Sequence, residues 1–80
     1  MSSTTTPAGR QEYLQGLLAI REDALVKRLA RVRAGDLELA EDALQQAYYM
    51  MARIKDPSGI EDPRAYFCRV LIRVINDLYS

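Results

Sequence analysis

The clearest pattern along the chain is an apolar stripe between Ala40 and Ile54 that recurs at the spacing of an α-helix. On a helical wheel the stripe contains Ala40, Ala43, Leu44, Ala47, Met51 and Ile54. The opposite face carries Glu38, Glu41, Asp42, Gln45, Gln46, Tyr49 and Arg53. The pattern predicts an amphipathic helix from Asp36 to about Ile54, with its polar face turned outward.

A longer helix is predicted before this one, from Arg10 or Gln11 to Arg33. Its apolar face contains Leu14, Leu17, Leu18, Leu25, Leu29 and Val32. Gly16 is unfavourable by about 1 kcal/mol relative to alanine in a helix, so we expect any kink or break to fall near it. The outer face of the second half is basic and contains Lys27, Arg28, Arg31 and Arg33.

Turn residues separate the predicted helices. Gly35 can adopt the left-handed conformation that ends a helix, and Asp36 can cap the next one. Residues 55–62 contain a proline, a glycine and three acids, which is typical of a loop. Asp62 followed by Pro63 then gives the capping residue and proline that commonly start a helix.

The last helix is predicted from Pro63 to about Leu78. Its buried stripe contains Phe67, Val70, Leu71, Val74 and Leu78. The other side contains Tyr66, Arg69, Arg73 and Asn76. Residues 1–9 are predicted to be a disordered tail, and residues 10–80 one all-α domain, a small antiparallel three-helix bundle.

Composition limits the chemistry that the chain can perform. Its 80 residues are enough for one domain, and its 11 basic and 11 acidic residues give a net charge of zero. The chain has no histidine, and its single cysteine, Cys68, has neither a disulfide partner nor a histidine to activate it. We therefore expect no enzyme activity, no metal site and no cofactor. No stretch approaches the roughly 20 apolar residues of a membrane span, and no signal peptide is visible, so we expect a soluble cytoplasmic protein.

Two blocks between about Asp23 and Leu78 resemble region 2 of a bacterial sigma factor of the extracytoplasmic-function type. The first block has an acidic pair, amides and an aromatic, as in the polymerase-binding helix of that family: Glu41, Asp42, Gln45, Gln46 and Tyr48. The second resembles the start of the DNA-facing helix and reads Asp62, Pro63, Arg64, Ala65, Tyr66, Phe67, Cys68 and Arg69. The two blocks stand in the family's order and at about its separation.

The resemblance implies two binding surfaces and no catalysis. The implied partner of the first is the beta-prime coiled coil of RNA polymerase, bound by Glu41, Asp42, Gln45, Gln46, Tyr48 and Tyr49. The implied partner of the second is the non-template strand of the promoter −10 element, bound by Arg64, Tyr66, Arg69, Arg73 and Asn76. Residues 55–61 then correspond to the loop that captures an unstacked base. An anti-sigma factor or a separate −35-reading protein is a further implied partner.

Several features depart from the family pattern. Tyr66 replaces the usual tryptophan, Arg73 a frequent asparagine and Ile72 a usually basic residue. The loop is acidic, which repels phosphate. The family continues beyond the position of Ser80 into a −35-reading domain, so an excised domain and a stand-alone region 2 both remain open.

Two alternative functions also remain open. One is a degenerate sigma-like regulator that binds polymerase without melting DNA. The other is a helical interaction or dimerisation module that associates through Tyr48, Tyr49, Met50 and Met51.

Overall fold

The computed structural model describes residues 7–79, and the side chains of residues 9–78. Within this range the chain forms four α-helices, which are α1 (Pro7–Glu22), α2 (Ala24–Ala34), α3 (Leu37–Ala52) and α4 (Pro63–Tyr79). A short 3-10 turn, Pro57–Gly59, lies between α3 and α4. The all-α prediction is confirmed, but the prediction of three helices is wrong. Residues 1–6 of the predicted tail lie outside the described residues, whereas residues 7–9 belong to α1.

The first predicted helix is in fact two helices, and the break lies at Asp23 rather than at Gly16. Asp23 has an extended backbone (φ −64°, ψ 132°), and its carboxylate accepts hydrogen bonds from the backbone N–H of Leu25 (2.8 Å) and Val26 (3.3 Å). An aspartate in this position competes with helix continuation because its side chain satisfies N–H groups that begin a new helix. A glycine inside a helix offers no such alternative, and Gly16 remains within α1.

The break also changes which residues α2 buries. Val26, Ala30 and Ala34 face the core, whereas Leu25 and Val32 are 68% and 71% exposed. Leu18 is exposed as well, so the predicted core face is wrong for three of its residues. For Leu25 and Val32 the physical reason is that non-helical Asp23 interrupts the helix, so the stripe of α1 does not continue onto α2; Leu18 precedes the break and this reason does not apply to it.

The helix that the stripe between Ala40 and Ile54 predicts is confirmed. Gly35 has a φ of 72°, and its N–H donates to the carbonyl of Arg31 at 2.8 Å, which ends α2. Asp36 caps α3 by accepting hydrogen bonds from the N–H of Glu38 (2.7 Å) and Leu39 (3.3 Å). The stripe is buried as predicted at Ala40, Ala43, Leu44, Ala47 and Met51, and Ile54, just beyond the helix, is half-buried.

The last predicted helix is also confirmed as α4. Asp62 caps it by accepting a hydrogen bond from the N–H of Ala65 at 3.1 Å. Phe67, Leu71 and Val74 are buried, as predicted. Leu78 is exposed, contrary to prediction, and Ile75 is buried instead. Ile75 follows Leu71 by four residues and therefore shares its buried side of the helix.

Helix α3 lies at the centre of the bundle and packs against α1, α2 and α4. Where α2 and α3 meet, the buried residues are mostly small, namely Ala30, Ala34, Ala40, Ala43 and Ala47. Small side chains allow two helices to approach closely, and the bulkier core residues come from all four helices, with α4 contributing the most. These include Leu17, Phe67 and Leu71, which are fully buried.

Polar side chains of α1 hold the C-terminal end of α3. The Tyr13 hydroxyl donates to the carbonyl of Met51 at 2.7 Å, and partial burial raises the pKa of Tyr13. The Arg10 guanidinium donates to the carbonyl of Ile54 at 3.0 Å and also to that of Ala52. Carbonyls at a helix C-terminus have no partner within the helix, so these contacts stabilise the end of α3. Within residues 7–79, no helix combines the length and the apolar character needed to cross a membrane.

Candidate functional site: two surfaces for binding partners

The outer surface of α3 is acidic and rich in amides. We define the α3 face as its exposed polar residues, Glu38, Glu41, Asp42, Gln45, Gln46 and Tyr49. The helix contains no lysine or arginine. The predicted polymerase-binding residues Glu41, Asp42, Gln45, Gln46 and Tyr49 thus lie on one exposed side of α3. Their carboxylates have no cation on α3 to neutralise them.

Arg21, at the end of α1, organises part of the α3 face. Its guanidinium donates to the side-chain oxygen of Gln45 at 2.8 Å and lies 5.2 Å from the ring centroid of Tyr48. The amide nitrogen of Gln45 in turn approaches the hydroxyl of Tyr49 at 3.5 Å. Arg21 therefore orients an amide and an aromatic ring of the predicted site. Helical periodicity does not predict this role, because Arg21 and Gln45 are 24 residues apart and meet only through tertiary packing.

Glu22, the last residue of α1, links α1 to α2 by ion pairs. Glu22 pairs with Arg21 at 3.2 Å and with Lys27 at 2.9 Å. The hydrogen bond from Lys27, followed by that from Arg21, lowers the pKa of the Glu22 carboxyl. Glu22 therefore joins the end of α1 to α2, beside Glu41 and Gln45 of α3, which line the same small pocket as Arg21 and Lys27.

The four consecutive apolar and aromatic residues of α3 do not form one exposed patch. Met51 is fully buried, and Tyr48 is half-buried beneath Arg21. Tyr49 and Met50 remain 55% and 49% exposed. The association patch that the sequence suggested is therefore reduced to these two side chains.

One side of α4 combines aromatic and basic groups. Tyr66, Arg69, Arg73 and Asn76 are all exposed, as the sequence predicted. The Arg69 guanidinium lies 5.8 Å from the centroid of the Tyr66 ring. A shallow groove of about 270 Å³ is lined by Tyr66, Arg69, Val70 and Arg73. We call these exposed residues and their groove the α4 face.

The loop before α4 adjoins the α4 face at Tyr66 and Arg69. A second open groove, of about 440 Å³, is lined by Gly59, Ile60, Glu61, Asp62, Ala65, Tyr66 and Arg69. Asp56 closes the preceding turn by accepting hydrogen bonds from the N–H (3.1 Å) and hydroxyl (2.6 Å) of Ser58, which lower its pKa. Tyr66 and Arg69 therefore line both grooves, and the α4 face adjoins a loop whose own charged groove residues, Glu61 and Asp62, are acidic.

Arg64 is separated from the other predicted DNA-binding residues. Its guanidinium forms two parallel hydrogen bonds with the Asp23 carboxylate, at 2.9 and 3.1 Å. This pair lowers the pKa of Asp23 to about 2, with the Arg64 hydrogen bond as the largest cause and the backbone N–H of Leu25 next. Arg64 therefore joins the start of α4 to the start of α2, and it does not line either groove beside Tyr66.

Three further observations concern metal binding, the cysteine and similarity to known proteins. Among the described residues, no three His, Cys, Asp or Glu side chains are grouped so that they could hold a metal ion. Cys68 is half-buried in α4 and unpaired. Comparisons with protein families, with curated proteins and with solved structures found no match for this chain.

Proposed function

We propose that this chain acts as a region 2-type domain of a bacterial sigma factor. In this role it binds the beta-prime coiled coil of RNA polymerase through the α3 face and promoter −10 DNA through the α4 face. The observation that carries the proposal is the presence of two separate exposed surfaces of opposite chemistry. One is acidic and amide-rich, and the other combines a tyrosine with two arginines.

The chemistry of the α3 face suits a basic coiled coil. Carboxylates such as Glu41 and Asp42 form strong charge-assisted hydrogen bonds with arginine, and neighbouring amides accept or donate further bonds. Arg21 holds Gln45 and Tyr48 in place before the partner arrives. Preorganised side chains lose less conformational entropy on binding, which favours affinity.

The chemistry of the α4 face suits single-stranded nucleic acid. Tyr66 offers a ring on which a base can stack, and Arg69 and Arg73 offer cations for phosphates. The groove between Tyr66 and the loop gives an unstacked base a place to enter. The acids of the loop repel phosphate, so we expect weak binding to intact duplex DNA.

The polymerase contact is tested by reversing the charge of Asp42. Asp42→Arg should weaken binding to a beta-prime coiled-coil fragment by about 2–5 kcal/mol, because it faces an arginine of the partner with another cation. Fluorescence anisotropy of the labelled fragment measures the affinity. Asp77→Arg, at an exposed acid of α4, is the matched control and should bind like wild type. Equal affinity for Asp42→Arg and wild type, with unchanged circular dichroism, would overturn the proposal.

The DNA contact is tested separately by removing the Tyr66 ring. Tyr66→Ala should weaken binding to a single-stranded −10-like oligonucleotide by about 1–3 kcal/mol, which is the range for one stacked base. Tyr49→Ala, at an exposed tyrosine of α3, is the control and should leave DNA affinity unchanged. If single strand and duplex bind equally, and Tyr66→Ala affects neither, the α4 face is not the DNA site. Coiled-coil binding that persists in that case would favour the regulator that binds polymerase without melting DNA.

A further inference from the structure

The outward side of α2 carries an apolar stripe that neither proposed surface uses. Leu25 and Val32 are 68% and 71% exposed, and Leu29 between them is half-buried. Steps of four and three residues place all three on one side of a helix. Isolated exposed aliphatic residues are common, but a stripe of them on one helix is typical of an interaction site.

The same side of α2 is strongly basic. Arg28, Arg31 and Arg33 are all exposed around the stripe, and the helix contains no acidic residue. Within the described part of the chain, Glu22 pairs with Lys27 of α2 and with Arg21, and Asp23 pairs with Arg64, so neither acid neutralises the three arginines. None of the three arginines takes part in an ion pair there. We define the α2 face as Leu25, Arg28, Leu29, Arg31, Val32 and Arg33.

We propose that the α2 face docks an acidic amphipathic helix of a partner protein. Leucine or isoleucine side chains of that helix would pack on Leu25, Leu29 and Val32, spaced three and four residues apart as in other helix-in-groove contacts. Its glutamates or aspartates would pair with Arg28, Arg31 and Arg33, whose planar guanidinium groups bind carboxylates through two parallel hydrogen bonds. The inference does not depend on the proposed sigma-factor function, because the face shares no residue with the α3 or α4 faces.

The observations favour a protein helix over nucleic acid or a membrane. Helix α2 has no aromatic residue on which a base could stack, and phosphate contacts would leave Leu25 and Val32 in water. A membrane surface is a poor match because α2 has only 11 residues and no tryptophan or phenylalanine to enter the lipid. A short face of this kind is typical of a transient contact rather than a permanent interface.

The α3 face of a second copy of the chain is acidic, but it is also a poor match for the α2 face. On α3, Leu44, Ala47 and Met51 are buried, so the aliphatic residues that an acidic partner helix needs are not available. The exposed large apolar residues of α3 other than Tyr49 are Leu37 and Met50, which lie at opposite ends of the helix. Leu37 and Met50 therefore form no apolar stripe that could pack against Leu25, Leu29 and Val32 of α2.

The proposal is tested by selecting binders from a displayed library of randomised helical peptides. The selection is run in parallel on the full wild-type chain and on its Leu25→Gln/Val32→Gln variant. Wild type should enrich sequences with leucine or isoleucine at helical three-and-four spacing and with acids between them, and the variant should not. A synthetic copy of the enriched peptide should lose about tenfold or more in affinity for this variant and for Arg28→Glu/Arg31→Glu.

The matched controls keep the test specific. Leu37→Gln changes an exposed leucine (61%) on another helix, and Lys55→Glu reverses an exposed cation of the loop. Both should bind the peptide like wild type, and all variants should keep the wild-type circular dichroism. Because the substituted side chains are exposed, we expect each variant to fold.

Four results would overturn the proposal. The first is the absence of acidic amphipathic sequences among the selected peptides, and the second is binding that the α2 variants do not weaken. The third is self-association of wild type in sedimentation equilibrium that Leu25→Gln/Val32→Gln abolishes, which would assign the face to a second copy. The fourth is binding to phosphatidylglycerol vesicles or duplex DNA that the same variant abolishes, which would assign it to a membrane or to nucleic acid.

Discussion

Helices α2 and α3 are consecutive and pack against each other, yet their outer surfaces have opposite chemistry. The outside of α2 is arginine and aliphatic residues with no acid, whereas the outside of α3 is carboxylates, amides and a tyrosine with no lysine or arginine. The net charge of zero is therefore a sum over two charged surfaces. A neutral composition says little about binding when the charges are segregated in this way.

The inner surfaces of the same two helices are alike. Ala30 and Ala34 of α2 and Ala40, Ala43 and Ala47 of α3 are all buried. Helix α3 also buries Leu44 and Met51, but the clearest difference between the two helices lies on the side that faces away from the core. We infer that the difference reflects two kinds of partner rather than two roles in folding.

The sharpest structural test of this comparison uses one leucine from each helix. Leu44→Ala should lower the free energy of unfolding by about 2–5 kcal/mol, because Leu44 is 3% exposed and its removal leaves a cavity. Leu25→Ala should change it by less than about 0.5 kcal/mol, since the side chain is already in water. Urea denaturation followed by circular dichroism measures both. Equal losses would mean that Leu25 is buried and that the α2 face does not exist.

A smaller effect is expected from the residues that cap the two helices. Asp36→Ala should lower the free energy of unfolding by about 1 kcal/mol, the usual effect of losing an N-cap. Asp23→Ala should be more destabilising, because it removes a cap and also the partner of Arg64. Arg64→Ala removes the ion pair but keeps the Asp23 cap, so it should lower the free energy of unfolding by less than Asp23→Ala does. If Asp23→Ala is no worse than Asp36→Ala in thermal unfolding, the pair does not link α2 to α4.

The same pair predicts a pH dependence. The Asp23 pKa is about 2 in the folded chain, and an unfolded aspartate titrates near about 3.9. A lowered pKa stabilises the fold above the unfolded value, and the contribution is lost as the pH falls from about 4 towards 2. Asp23→Asn keeps a capping side chain but loses the charge. Its difference in melting temperature from wild type should therefore shrink between pH 5 and pH 2, and a constant difference would contradict the account.

The periodicity of the sequence predicted α3 and α4 well, for a physical reason. Each begins at a capping aspartate, Asp36 or Asp62, and continues without interruption, so a single helical wheel describes all its residues. Caps, stripe and outer face then agree, and the predicted site residues on these helices are exposed except for Tyr48, which is half-buried. In these two helices the predicted stripe is wrong at Leu78, in the last turn of α4, where Ile75 is buried instead.

In the first half of the chain the helical wheel predicted one continuous helix, because it did not show that Asp23 ends α1 and starts α2. Asp23 is an acceptable helix residue on a helical wheel, and only its hydrogen bonds to Leu25, Val26 and Arg64 reveal it as a cap. A search for capping residues inside a long predicted helix could have found the break. The contacts of Arg21 and Arg64 join residues 24 and 41 positions apart, and periodicity carries no information about such pairs.

The central claim, that the α3 face is where the polymerase coiled coil binds, is tested most directly by NMR. The isotope-labelled chain is titrated with the beta-prime coiled-coil fragment, and amide and side-chain shifts are followed residue by residue. The account predicts changes at Glu41, Asp42, Gln45, Gln46 and Tyr49, and at the Arg21 side chain, with Leu25 and Val32 unchanged. Shifts centred on α2, or no shifts at a fragment concentration that saturates a known sigma factor, would contradict it.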